Sequence, residues 1–199
     1  MKNTLFLVAG PPATGKSYFI NELRNQNYKF VLITPDEIKE NYADLVGFDN
    51  LEEKAVLEKE AWCTYYNLID EYMKMGEKMI VSEYPFSKKQ RQKLKIFTER
   101  YQYQILTLTL TADFDVLWAR RYNRDREQSR HLSHIMSHYK NGDILENRDL
   151  ADNHISKADF YKKIEDSQYN LFELGKTYRI DTTNYDLLNY SKIISDIFS

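Results

Sequence analysis

The sequence predicts an α/β domain of three layers, a five-stranded parallel sheet between helices. Five short apolar or β-prone segments recur along the chain (residues 4–9, 29–33, 78–82, 103–110 and 177–181), each separated from the next by helical patterning. Strands that alternate with helices in this way form parallel crossover units. The first segment, TLFLVA, is apolar almost throughout, as expected of a strand covered on both faces. The chain has 199 residues, 42% of them hydrophobic and 29% charged, with only six glycines and four prolines. That composition fits one folded domain over residues 1–199, with a core that needs no disulfide.

The elements follow in order. After the strand 4–9 comes GPPATGKS (10–17), then a helix from about Lys16 to Asn25. KFVLI (29–33) is the second strand, and Thr34-Pro35 leads into a short helix from Asp36. Ala55, Trp62, Tyr66, Ile69 and Met73 mark one face of a long helix over 51–75 that stops near Gly76. KMIVS (78–82) is the third strand, 87–100 a basic helix, and YQILTLTL (103–110) the fourth strand. An arginine-rich helix is expected over 113–127, followed by a short helix carrying His131, His134 and His138. Residues 140–156 are the least regular stretch and read as a loop. Ser156 with Asp159 three residues on signals a helix start, and Gly175 a stop, which predicts a helix over 157–174. TYRID (177–181) is the fifth strand, and a last amphipathic helix holds Leu187, Ile193, Ile194 and Ile197.

Residues 10–17 match G-x-x-x-x-G-K-[ST], with the strand before and the helix after that such a phosphate-binding loop requires. The domain is therefore expected to be a three-layer P-loop NTPase fold. Pro11 and Pro12 have no N–H to offer a phosphate, but they occupy the outward sweep of the loop. The converging donors come from its second half, Ala13, Thr14, Gly15, Lys16 and Ser17. Gly10 and Gly15 supply the turn and the close approach. Lys16 supplies a point charge to the β- and γ-phosphates, and the Ser17 hydroxyl a ligand for Mg²⁺. The nucleotide is expected to be ATP.

Composition narrows the use of this loop. A net charge of −2 argues against clamping long nucleic acid. The single cysteine, Cys63, excludes an internal disulfide and a multi-thiolate zinc site, and its apolar helical context predicts a buried thiol. No run approaches the length of a membrane span, and the apolar start is too short and wrongly flanked for a signal peptide, so a cytoplasmic protein is expected. The strings SKAD (156–159) and DLVG (44–47) follow no strand and so do not read as GTPase motifs. An AAA-type motor is longer and carries an added helical domain, whereas this size suits a small phosphotransferase.

Three features point to transfer onto an acceptor. Asp36, in TPDEIK at the carboxyl end of the second strand, lies at the sheet edge where ligands bind. It is placed either to take a proton from an incoming hydroxyl or to cap its helix. Glu83 ends the strand MIVSE, where a carboxylate holds Mg²⁺ through water or orients the acceptor. Arg120, Arg121, Arg124, Arg126 and Arg130 crowd one region, Arg120 and Arg124 four apart on one helical face. Charge of that kind stabilises the transferring phosphoryl group and closes a lid, here over about 120–140. The alternative is a solvated basic surface balanced by Asp125 and Glu127.

On GPPATGKS, TPDEIK, MIVSE with SKKQR after it, and LWARRYNR, the chain resembles the P-loop kinase family that includes polynucleotide 5′-hydroxyl kinases and related small-molecule kinases, over most of residues 4–140. The resemblance implies that Asp36 is the base that activates the acceptor hydroxyl and that Arg120 and Arg124 contact phosphates. The chain departs from the family where Lys39 replaces an arginine and where Glu83-Tyr84-Pro85 replaces D-x-N. Both departures lie on the acceptor side. The expected activity is transfer of the γ-phosphoryl of ATP to a hydroxyl, on a small molecule in preference to a nucleic-acid 5′-end. A nucleotide-dependent regulator without an acceptor is the competing reading. The three histidines and the basic run KKQRQKLK (88–95) read as solvated side chains.

Overall fold

The structure is a computed structural model that describes residues 2–198. Its five strands are β1 (Thr4–Ala9), β2 (Val31–Leu32), β3 (Met79–Glu83), β4 (Gln104–Thr111) and β5 (Lys176–Asp181), all parallel, in the order β2-β3-β1-β4-β5. Seven α-helices are described: α1 (Lys16–Asn25), α2 (Pro35–Val46), α3 (Leu51–Lys74), α4 (Lys88–Tyr101), α5 (Phe114–Arg124), α6 (Lys157–Ser167) and α7 (Tyr190–Phe198). β1 sits at the centre because it alone is apolar on both faces. Leu5, Leu7 and Ala9 point into a core with Ala61, Tyr65, Ile69 and Met73 of α3 and Leu94 and Phe97 of α4. Phe6 and Val8 point the other way, onto Phe19, Ile20 and Leu23 of α1 and Ile194 and Ile197 of α7. Each such buried side chain contributes about 1.5–3 kcal/mol, so the alternation along β1 holds both helical layers.

Two further apolar clusters fix the rim. Leu117 of α5 packs with Phe160 and Ile164 of α6 and with Tyr169. Ala43, Phe48, Leu132, Ile135, Tyr139 and Ala151 form a satellite core beyond α2. There Phe48 and Tyr139 exchange backbone hydrogen bonds of 2.8 and 2.7 Å as an isolated antiparallel bridge.

Several expected elements differ. The second strand is two residues long and pairs with β3, so β3 separates it from β1. The buried face of α3 is Ala61, Tyr65, Ile69 and Met73, one residue off the expected stripe at Trp62 and Tyr66. Ala55 lies outside that face, and Cys63 is exposed rather than buried, because it falls between two core positions on the opposite side. The arginine helix ends at Arg124, and the expected histidine helix is a single 3₁₀ turn, Leu132–His134. α6 stops at Ser167, where Gln168 takes a left-handed conformation (φ 52°) and a 3₁₀ turn follows. Leu187 is exposed in a turn ahead of α7. The stretch 140–156 is irregular but anchored: Asn153 N–H donates to the Ile135 carbonyl at 3.0 Å, and Asp152 accepts from the Ser137 N–H at 2.7 Å.

Candidate active site

The loop between β1 and α1 is shaped by backbone that ordinary residues avoid. Gly10 has φ +119°, and a Cβ there would lie 2.0 Å from the Leu110 carbonyl oxygen on β4, so only glycine fits. Ala13 (φ +69°) and Gly15 (φ +85°) are left-handed at alternate positions, a pattern that turns successive N–H groups toward one concave side. The N–H groups of Lys16 and Ser17 open α1 and have no partner within a helix. Thr14 is buried, its hydroxyl donating to the Pro11 carbonyl at 2.9 Å, so it braces the loop from beneath. Lys16 Nζ donates to the carbonyls of Pro11 at 2.9 Å and Gly10 at 3.3 Å. Burial lowers the Lys16 pKa to about 8, with Arg124 acting in the same direction and Glu83 and Asp36 opposing.

The loop floors a cleft of about 1130 Å³ at the carboxyl ends of the strands, where sheets of this kind bind ligands. Lys16, Ser17, Asp36, Glu83, Arg120 and Arg124 all line it. Ser17 Oγ donates to Glu83 Oε1 at 2.8 Å, while Glu83 Oε2 is buried without a hydrogen-bond partner. Burial raises the Glu83 pKa against the pull of Lys16 and Ser17. A hydroxyl and a buried carboxylate oxygen, side by side next to a phosphate loop, are the hard oxygen donors that Mg²⁺ takes alongside phosphate and water. Among the described residues no group of three or more His, Cys, Asp or Glu side chains is arranged to hold a metal. The three histidines accordingly do not converge on a site. His131 pairs with Asp44, His134 with Glu40 at 2.6 Å, and His138 with Asp152.

Asp36 lies in the first turn of α2, but the cap is Thr34, whose hydroxyl accepts from the Glu37 N–H at 3.4 Å. The Asp36 carboxylate is thus free of capping, with its side chain 51% exposed to the cleft. Desolvation opposes its ionisation, yet Lys39, His134, Arg130 and Lys16 together outweigh that cost and hold its pKa below the ordinary value. The two departures from the kinase pattern touch each other. Lys39 Nζ donates to the Tyr84 hydroxyl at 2.9 Å and sits over the Tyr84 and Trp62 rings at 4.8 and 5.6 Å. It also approaches Asp36 at 3.8 Å and Glu58 at 4.0 Å. Burial works against the Lys39 charge, but Tyr84, Asp36 and Glu58 more than offset it and raise its pKa. Lys39 and Tyr84 therefore form one hydrogen-bonded pair at this edge of the cleft.

The arginines divide by role. Arg120 stacks on Tyr185, its guanidinium 3.7 Å from the ring centroid, and donates to the Thr183 carbonyl at 3.1 Å. Tyr185 follows β5 and reaches the Ala13 carbonyl at 3.5 Å. Arg121, Arg124 and Arg130 gather on Asp125, which is 3% exposed, with Nε–carboxylate distances of 3.1, 3.7 and 3.3 Å. Arg126 turns away to Asp149. The sequence reading missed Tyr185 and gave Asp125 only a compensating charge. Tyr185 had a signal, since it follows the carboxyl end of a parallel strand. Asp125 had none, because burial is invisible in a run of charges. The run KKQRQKLK lies on α4, away from the cleft lining, with Lys93 over the Tyr66 ring at 4.0 Å.

Comparison with known proteins agrees with this layout. A family described as an AAA domain matches residues 5–140. The remaining segment supplies α6, β5 and α7, and β5 and α7 complete the same sheet and core rather than a separate helical lobe. No curated protein matches the chain. Among solved structures, a candidate kinase from Chloroflexus aurantiacus j-10-fl is 19% identical, with a TM-score of 0.74 over 100% of this chain and 96% of that one. The tunicamycin resistance protein of Deinococcus radiodurans is 14% identical (TM-score 0.53; 98% and 94% covered). A gluconokinase from Sinorhizobium meliloti 1021 is 13% identical (TM-score 0.51; 98% and 89% covered). The chain shares their fold.

Proposed function

The chain belongs to the AAA-domain family, and on that premise we propose that it is an ATP-dependent phosphotransferase that moves the γ-phosphoryl group to a hydroxyl of a small molecule. The observation that carries this reading is the position of Asp36. A half-exposed carboxylate, uninvolved in capping and kept ionised by surrounding cations, shares one cleft with a complete phosphate loop. The gluconokinase and sugar-kinase descriptions of similar folds support a small acceptor.

In this reading the N–H groups of residues 13–17 and the Lys16 ammonium hold the β- and γ-phosphates. Mg²⁺, when bound, neutralises charge on the phosphate oxygens, and Ser17 with Glu83 are the side chains that would hold it. Arg124 lies beside the phosphate loop, close enough to lower the Lys16 pKa, and balances charge as the P–O bond to ADP breaks. Arg120, clamped between Tyr185 and the Thr183 carbonyl, closes the nucleotide end of the cleft. The acceptor oxygen bonds to phosphorus, and its proton passes to Asp36. A depressed pKa suits that role in a loose transition state, because an ionised carboxylate orients the hydroxyl and takes its proton late.

Paired substitution tests the assignment. Lys16→Ala is expected to abolish nucleotide binding, whereas Asp36→Asn spares it and removes transfer. Full transfer by Asp36→Asn would refute the base. Tight ATP binding with no phosphorylated product from any extract would favour the regulator.

A further inference from the structure

Resting on the phosphotransferase reading, we propose that the acceptor is a small hydroxyl compound that itself carries an anionic group, a carboxylate or a phosphate, and that Lys54 and Lys163 receive that group. Most other cations of the cleft face a carboxylate, and Arg120 stacks on Tyr185 and donates to the Thr183 carbonyl. Lys16 faces Glu83, Arg121, Arg124 and Arg130 share Asp125, and Lys39 lies within 4.0 Å of both Asp36 and Glu58. Lys54, from the first turns of α3, and Lys163, from α6, line the same cleft. Neither forms an ion pair among the described residues, although Lys54 places its ammonium 5.5 Å over the Phe48 ring.

The two ammonium groups are held where like charge accumulates. Burial lowers the Lys54 pKa, and Lys39, Lys163 and Arg130 add to that, with Glu58 alone opposing. Lys163 is lowered by burial, then by Arg121 and Lys39, against Glu58 and Asp36. Two cations from different helices that line one cavity, neither within ion-pairing distance of a carboxylate, offer charge-assisted hydrogen bonds to an anion there. Their place assigns that anion to the acceptor. Lys54 shares a recess of about 40 Å³ with Lys39, Glu58 and His134, on the side of the Lys39–Tyr84 pair and away from the phosphate loop. An acceptor anchored there by its charged end presents a hydroxyl toward Asp36. Lys39, held by the Tyr84 hydroxyl, then forms one wall of this recess. That lysine is already engaged, leaving Lys54 and Lys163 to read charge.

The test uses the full chain with Mg²⁺ and γ-labelled ATP in a deproteinised small-molecule extract, with the labelled product isolated and weighed by mass spectrometry. The expected product carries a carboxylate or a second phosphate besides the transferred one, and its mass tells which. A neutral acceptor, or an oligonucleotide, overturns the proposal and leaves the phosphotransferase reading standing. If free phosphate is the sole labelled product, the phosphotransferase reading falls and this proposal with it. With the acceptor in hand, Lys54→Gln and Lys163→Gln are each expected to raise its KM about ten- to hundredfold, the range for a lost charge-assisted hydrogen bond. The KM for ATP and the thermal midpoint should stay unchanged, and Lys54→Arg and Lys163→Arg should restore acceptor KM. Equal effects of the glutamine variants on ATP and acceptor, or none on either, would refute the assignment.

Discussion

Replacing Asp125 by asparagine removes one charge and almost no volume. Its carboxylate meets three guanidinium groups at 3.1, 3.3 and 3.7 Å. At an effective dielectric of about 20, each such pair is worth roughly 5 kcal/mol before desolvation. Desolvation and repulsion among the arginines cancel most of that sum, and removing one partner of a buried ion pair typically costs about 3–5 kcal/mol. For a chain of this size that corresponds to a fall of roughly 6–20 °C in thermal midpoint. Thermal unfolding of wild type and Asp125→Asn, checked by urea denaturation with unchanged slope, measures it. The variant leaves three cations facing the cleft without their anchor, so millimolar pyrophosphate should raise its midpoint more than that of wild type. A variant within about 1 kcal/mol of wild type would refute the claim that this buried carboxylate holds the cluster.

Other outcomes follow from the same geometry. Because the Lys16 pKa is lowered to about 8, the ammonium loses its proton as pH rises through that value. Nucleotide affinity should therefore weaken above pH 8 and hold steady below it, a trend that Lys16→Arg, measured by titration calorimetry, should lack. Gly10→Ala would force a Cβ within 2.0 Å of a β4 carbonyl at positive φ and should lose several kcal/mol of stability, about 1–3 from strain alone. Gly15→Ala meets the movable Tyr185 hydroxyl at 2.8 Å, so it should impair nucleotide binding more than unfolding midpoint. Glu83→Gln keeps the hydrogen bond to Ser17 but removes the carboxylate charge, and a Mg²⁺ titration of activity should shift to higher concentration.

The fold was legible where one local rule decided the outcome. TLFLVA could only be a central strand, because both faces are apolar and no other segment is so uniformly covered. GPPATGKS could be read atom by atom, since its chemistry resides in backbone N–H groups and in glycines whose necessity the Gly10 contact with Leu110 illustrates. The capping of α6 by Ser156 was equally local, its hydroxyl accepting from the Asp159 N–H at 3.1 Å. The misreadings came where neighbours in space outvoted neighbours in sequence. Cys63 is exposed and Trp62 half-buried, where both were expected inside, because the side of α3 that meets the sheet is chosen by packing against β1 and β3. The three histidines were spaced like a helix face, yet each found a separate carboxylate.

The chemistry divides in the same way. Gly10 to Ser17 and Asp36 were singled out as candidates from order along the chain, and Gly15, Lys16, Ser17 and Asp36 line one cleft. That order could not show that Thr34 rather than Asp36 caps α2, and so leaves the carboxylate free. Nor could it show that Lys39 and Tyr84, 45 positions apart, form one hydrogen-bonded pair. Lys54 and Lys163 carry no local signal at all, because their meaning lies in sharing a cavity without forming an ion pair. Covalent order sets which groups are available. Folding sets which charges are left unpaired, since electrostatic energy depends on distance in space.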